Sequence, residues 1–124
     1  MKKILLVDDH ADIRKLVRMT LEFEDYDVHE ASDAPEAVRA AGDWQPDLVL
    51  LDVMMPGEYD GLEACRRLKR GGNNSTPPRV MLLSARGRAL DREAGLGAGA
   101  DAYLVKPFSP LQLIDSIAAL WSRE

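Results

Sequence analysis

A chain of 124 residues, 46% apolar and 30% charged, suffices for one domain that buries roughly two thirds of its unfolded surface without disulfides. Its 16 basic and 21 acidic side chains leave a net charge of −5, which argues against holding nucleic acid by phosphate neutralisation; DNA binding would need another domain. The single Cys65 excludes an internal disulfide, the apolar runs are too short to cross a bilayer, and Lys2-Lys3 lead into a strand rather than a secretion signal, so a cytoplasmic location is expected.

In chain order, Ile4-Leu5-Leu6-Val7 reads as a strand buried on both faces that ends on Asp8-Asp9. Residues 11 to 24 follow as an amphipathic helix, with Ile13, Leu16, Val17, Thr20 and Leu21 on one face and Arg14, Lys15, Arg18 and Glu22 opposite. Tyr26 to Ala31 is a strand whose apolar positions are interrupted by Asp27, His29 and Glu30, the pattern of a sheet edge. A helix is predicted from Asp33, with Pro35 in its first turn and Gly42 ending it. Leu48-Val49-Leu50-Leu51 ends on Asp52, and a helix from Gly61 to Arg70 buries Leu62, Cys65 and Leu68.

The stretch from Gly71 to Pro78 is turn-rich and reads as a mobile connection to the next strand. Val80-Met81-Leu82-Leu83 ends on Ser84, residues 88 to 98 form a helix with little apolar stripe, and Tyr103-Leu104-Val105 ends on Lys106. The last helix is capped by Ser109, takes Pro110 at its first position, and places Leu113, Ile114, Ile117 and Trp121 on one face. Trp44 and Trp121 read as packing residues, His10 as a spectator, His29 as solvent-facing and Cys65 as buried. Gly95 to Ala100 imitates a dinucleotide fingerprint, but it closes a helix and precedes a strand, the reverse of the required order.

Five strands alternating with five helices predict an α/β, doubly wound (βα)5 domain of flavodoxin-like type, spanning residues 1–124 around a parallel sheet. Right-handed crossovers and the second strand at an edge favour the order 2-1-3-4-5. The order then reverses between strands one and three, so Asp8, Asp9 and Asp52 meet at the switch point where such folds bind ligands. Two carboxylates about 4 Å apart repel by about 4 kcal/mol at an effective dielectric near 20, so the cluster demands a counter-cation or a raised pKa. Oxygen ligands with no histidine or thiolate nearby favour Mg²⁺. Lys106 adds an ammonium and Ser84 a hydroxyl, an arrangement suited to phosphoryl transfer with Asp52 as nucleophile.

VDD at residues 7–9, LLDVMMPG at 50–57, LLSA at 82–85 and GADAYLVKPF at 99–108 resemble the receiver domain of bacterial response regulators, the CheY-like family, over nearly the whole chain. The resemblance implies that Asp52 accepts a phosphoryl group from a histidine kinase or histidine phosphotransfer protein, and that Asp9, Asp52 and the Met54 backbone carbonyl bind Mg²⁺ directly, with Asp8 acting largely through water. It further implies that Lys106 and Ser84 contact the phosphoryl group, that Tyr103 changes rotamer when the hydroxyl moves, and that the Lys106-Pro107 bond is cis. No catalysis on an outside substrate is expected, only self-phosphorylation and self-dephosphorylation. The last two helices and the strand of Tyr103 form the expected signalling surface toward a downstream effector domain or protein, or toward a phosphorylation-linked homodimer. Nothing after Trp121-Ser122-Arg123-Glu124 supplies an output, which fits a stand-alone receiver or a fragment alike.

Two departures from the family pattern stand out. Gly57-Glu58-Tyr59-Asp60 carries one residue more than the usual spacing, which leaves Asp52 to Met54 untouched and alters the loop beside them. Ser84 stands where many relatives carry threonine, and Met54 and Arg86, two residues beyond Asp52 and Ser84, are positioned to tune the lifetime of a phosphate. Two rival functions remain open. One is an unphosphorylated, receiver-like protein-binding module. The other is a Mg²⁺-dependent aspartyl phosphohydrolase of the haloacid-dehalogenase kind, against which Met54 stands where a second acid is needed.

Overall fold

The structure is a computed structural model that describes residues 1–70 and 77–122; the turn-rich segment 71–76 lies outside them. Five strands, β1 (Lys3–Val7), β2 (Asp27–Ala31), β3 (Leu48–Asp52), β4 (Arg79–Ser84) and β5 (Ala102–Val105), alternate with five helices among the described residues. The helices are α1 (Ala11–Phe23), α2 (Ala34–Trp44), α3 (Gly61–Lys69), α4 (Ala89–Gly97) and α5 (Pro110–Trp121). All pairings are parallel and the order is β2-β1-β3-β4-β5, as the crossover rule requires.

Side chains alternate across the sheet and divide the core in two. Ile4, Leu6, Leu48, Leu50, Met81 and Leu83 face Val17 and Leu21 of α1 and Leu113, Ile117 and Leu120 of α5. Leu5, Val7, Val49, Leu51 and Leu82 face the alanines of α2 and Ala64, Cys65 and Leu68 of α3. The Cys65 thiol is buried, which pushes its pKa up to about 11 and makes it an apolar filler. Asp33, Asp60 and Ser109 cap α2, α3 and α5 by accepting the N–H three residues on, and Ser109 and Gln112 complete a capping box.

Several expectations need correction. Leu16 is 61% exposed instead of facing the sheet; Val17 and Leu21, with Ile13 partly buried beside them, make the contact with it. Gly42 does not end α2. The helix runs on to Trp44 and turns out at Gln45, which holds φ 53°, because Trp44 stacks on the exposed His29 ring at 3.7 Å and 5°, a tertiary contact that outweighs glycine's weak helix preference. Tyr103 to Val105 are half-buried instead of buried on both faces, since β5 is the second edge of the sheet. Leu120 adds to the α5 core face, while Trp121 packs against the same core partly buried and its indole donates to the Tyr26 hydroxyl at 2.9 Å.

The segment between β3 and α3 is held by close approach. A Cβ on Gly61 would lie 2.1 Å from the Asp52 carbonyl oxygen and 2.8 Å from Val53 Cα, both main-chain atoms. Gly61→Ala is therefore expected to lower stability by roughly 1–3 kcal/mol, seen as a lower urea midpoint at unchanged m-value. Gly57, at φ 122°, turns the lengthened loop, and Tyr59 then packs against the core beneath the Arg67 guanidinium, 3.9 Å from the ring centroid.

Candidate functional site

Parallel strands deliver their C-terminal residues to one edge, and β1, β3 and β4 place Asp8, Asp52 and Ser84 there, each less than 4% exposed. A buried carboxylate is tolerated only when paired or hydrogen-bonded. Lys106, leaving β5 through a cis bond to Pro107, supplies the pairing: its Nζ lies 3.0 Å from Asp8 Oδ2 and 3.5 Å from Asp52 Oδ2. Two main-chain donors hold the other oxygens, the His10 N–H on Asp8 Oδ1 at 2.8 Å and the Met54 N–H on Asp52 Oδ1 at 3.1 Å.

One ammonium does not neutralise three carboxyl groups. Burial holds the Asp52 carboxyl above the usual range; Lys106 opposes that shift, while Asp8 and Asp9 add to it. Ligand atoms of Asp8, Asp9, His10 and Asp52 all lie within 4.8 Å of one another, a spacing and an anionic oxygen set that fit a hard divalent cation such as Mg²⁺. The expectation that no histidine stands nearby is overturned. His10 Nδ1 lies 3.2 Å from Asp8 Oδ1 and 3.1 Å from Asp9 Oδ1, because its place at the N-cap of α1 folds the ring back over the two preceding carboxylates.

Ser84 and Tyr103 form a second group joined through one main-chain unit. Ser84 Oγ accepts the Arg86 N–H at 3.1 Å, and the Tyr103 hydroxyl donates to the Arg86 carbonyl at 2.7 Å. The ring lies against Gly95, where a Cβ would come within 2.9 Å of it, and Arg92 approaches its face at 5.6 Å. Ser84 Oγ and the Tyr103 hydroxyl thus both bond to the main chain of Arg86. On the other side of Lys106 an apolar groove is lined by Ile13, Leu16, Val17, Pro107 and Phe108.

The model of the response regulator receiver domain matches residues 4–118. The chain is 45% identical over 121 residues to the transcriptional regulatory protein ResD of Bacillus subtilis (strain 168), across 98% of this chain and 48% of that protein. In structure it is similar to the Vibrio cholerae chemotaxis protein CheY4, with a TM-score of 0.88 and 30% identity over 96% of this chain and 98% of the other. It is also similar to the BeF3-activated DrrB receiver domain, with a TM-score of 0.85 and 30% identity over 98% of both chains. The chain spans about half the length of the curated relatives it matches.

Proposed function

This chain belongs to the receiver domain family of two-component response regulators, and on that premise we propose that residues 1–124 act as one receiver domain whose Asp52 accepts a phosphoryl group. The donor is a histidine kinase or a histidine phosphotransfer protein. The observation that carries this is the pairing of a buried Asp52, one oxygen held by the Met54 N–H, with Lys106 on the side of the other oxygen. That second oxygen attacks phosphorus as the bond to the donor breaks, and Lys106 neutralises charge on the transferred group. Mg²⁺, held by Asp8, Asp9, Asp52 and the Met54 carbonyl, would supply the remaining neutralisation. The groove beside Lys106, with Leu16 61% exposed on its rim, supports approach of a donor protein from that side.

Aspartyl phosphate brings new acceptor oxygens within reach of groups that now bond elsewhere. Ser84 turns from the Arg86 N–H toward them, the Arg86 main chain follows, and Tyr103 loses its partner and rotates into the vacated space. The surface of α4, β5 and α5 changes with it and passes the state to an effector domain, an effector protein or a second copy of the chain. The conversion acts on the chain itself, with no turnover of an outside substrate. No helix among the described residues is long and apolar enough to cross a membrane, which is compatible with action in the cytoplasm.

Beryllofluoride, a mimic of the phosphoryl group, tests this. In Mg²⁺ it is expected to bind saturably and shift the amide resonances of Ser84, Arg86 and Tyr103, and to do neither with Asp52→Asn. Absence of binding by the unaltered chain would instead favour an unphosphorylated protein-binding module.

A further inference from the structure

The Asp8 carbonyl lies past the end of β1 in a residue that is fully buried, so it needs a donor from elsewhere in the chain. Arg14, one turn into α1, supplies it through Nη1. The same guanidinium donates through Nε to Glu30 Oε1 at 3.1 Å, near the end of the edge strand β2. Glu30 is itself held from its other oxygen by Arg18 Nη1, and Arg18 Nη2 donates to the Val28 carbonyl at 3.1 Å. A planar guanidinium holds its donors in a rigid fork, so Arg14 serves the carbonyl through Nη1 and the carboxylate through Nε from fixed positions. Both residues are mostly shielded, Arg14 at 19% and Glu30 at 29% side-chain exposure.

We propose that Arg14, anchored by Glu30, is a positioning residue for the divalent-cation centre, holding the Asp8 main chain so that the Asp8 and Asp9 carboxylates converge on Asp52. This rests on the cation site of the proposed function and adds to it the part of the chain that aims the ligands. The sign of one substitution separates this role from simple electrostatics. Arg14 is a cation close to a site for a cation, so deleting its charge alone would tighten Mg²⁺ binding. Losing a group that orients metal ligands weakens it, typically by 10–100-fold.

The test measures Mg²⁺ affinity of the full chain by displacement of Mn²⁺, followed through the electron paramagnetic resonance signal of free Mn²⁺, well below the melting temperature. Arg14→Ala is expected to weaken Mg²⁺ at least about tenfold. Arg14→Lys keeps the charge but loses the rigid fork that fixes the two acceptors relative to each other, and Glu30→Gln keeps the shape but loosens the anchor; each is expected to weaken binding several-fold. These two gentler variants decide the matter if Arg14→Ala does not fold. A merely structural role would lower the melting temperature and leave the cation midpoint of the folded protein in place. Unchanged or tighter Mg²⁺ binding in the variants, with the unaltered chain binding normally, overturns the positioning role alone. Failure of the unaltered chain to bind either cation overturns it together with the proposed site.

Discussion

Incubated with acetyl phosphate and Mg²⁺, the unaltered chain is expected to gain one acid-stable, base-labile phosphoryl group, and Asp52→Asn to gain none, a loss of at least about a hundredfold in labelling rate. The amide is close to isosteric and can still accept the Met54 N–H that holds Asp52 Oδ1 at 3.1 Å, so the loss reports chemistry and not collapse of the loop. A neutral amide has no anionic oxygen to attack phosphorus. Neither neighbouring carboxylate stands in for it. Asp8 is fully buried and shares the pattern of Asp52, but Lys106 lies closer to it, at 3.0 Å against 3.5 Å, so its oxygen is the more firmly paired of the two. Asp9 is more open, and its oxygen lies 3.1 Å from the His10 ring. Mass spectrometry of the intact protein after a timed reaction checks this, and undiminished labelling of Asp52→Asn would remove Asp52 from its role.

The strand ends were legible from sequence because each is a local fact: an apolar run stops on a polar residue, and parallel topology then carries those residues to one edge. Asp8, Asp52, Ser84 and Lys106 lie at the expected ends, and the order β2-β1-β3-β4-β5 follows from β2's interrupted pattern and the handedness of crossovers. What escaped were contacts made by polar side chains folding back on the main chain. The return of the His10 ring to Asp8 and Asp9 depends on the N-cap geometry of α1, which periodicity does not encode. Arg14 sat on what looked like the solvent face of α1, yet its fork closes on the Asp8 carbonyl and Glu30. An arginine one turn after a strand-end acid, with an acid near the end of the neighbouring edge strand, was the available signal. Gly42 failed as a stop signal for the opposite reason, since its neighbour Trp44 had a distant partner in His29.

The carboxylates that would bind the cation oppose one another without it, and the second expected result follows from that tension. Asp52 is 3% exposed, and burial is the main cause that raises its pKa, so its ionised form costs the native state energy that the unfolded chain does not lose. Between the ordinary carboxylate value, about 3.9, and the raised native value, the folded chain binds more protons than the unfolded one, and this group's contribution to stability falls as pH rises through that window. Above it the full penalty is present. Asp52→Asn removes the penalty while leaving Lys106 its closer partner Asp8, so the metal-free variant is expected to be more stable than the unaltered chain at pH 7. That gain raises the melting temperature, and it should vanish as pH falls below the ordinary carboxylate range, where Asp52 is protonated in both states. Mg²⁺ works against that gain. At about ten times its dissociation constant it stabilises the unaltered chain by about 1.4 kcal/mol, while the variant, short of one ligand charge, gains less. Melting curves of both proteins with EDTA and with excess Mg²⁺, at neutral and acid pH, read all of these signs. A metal-free variant that melts below the unaltered chain at pH 7 would mean that Asp52's pairing with Lys106 outweighs its desolvation, and the acidic centre would then be held together by its own ion pairs without a cation.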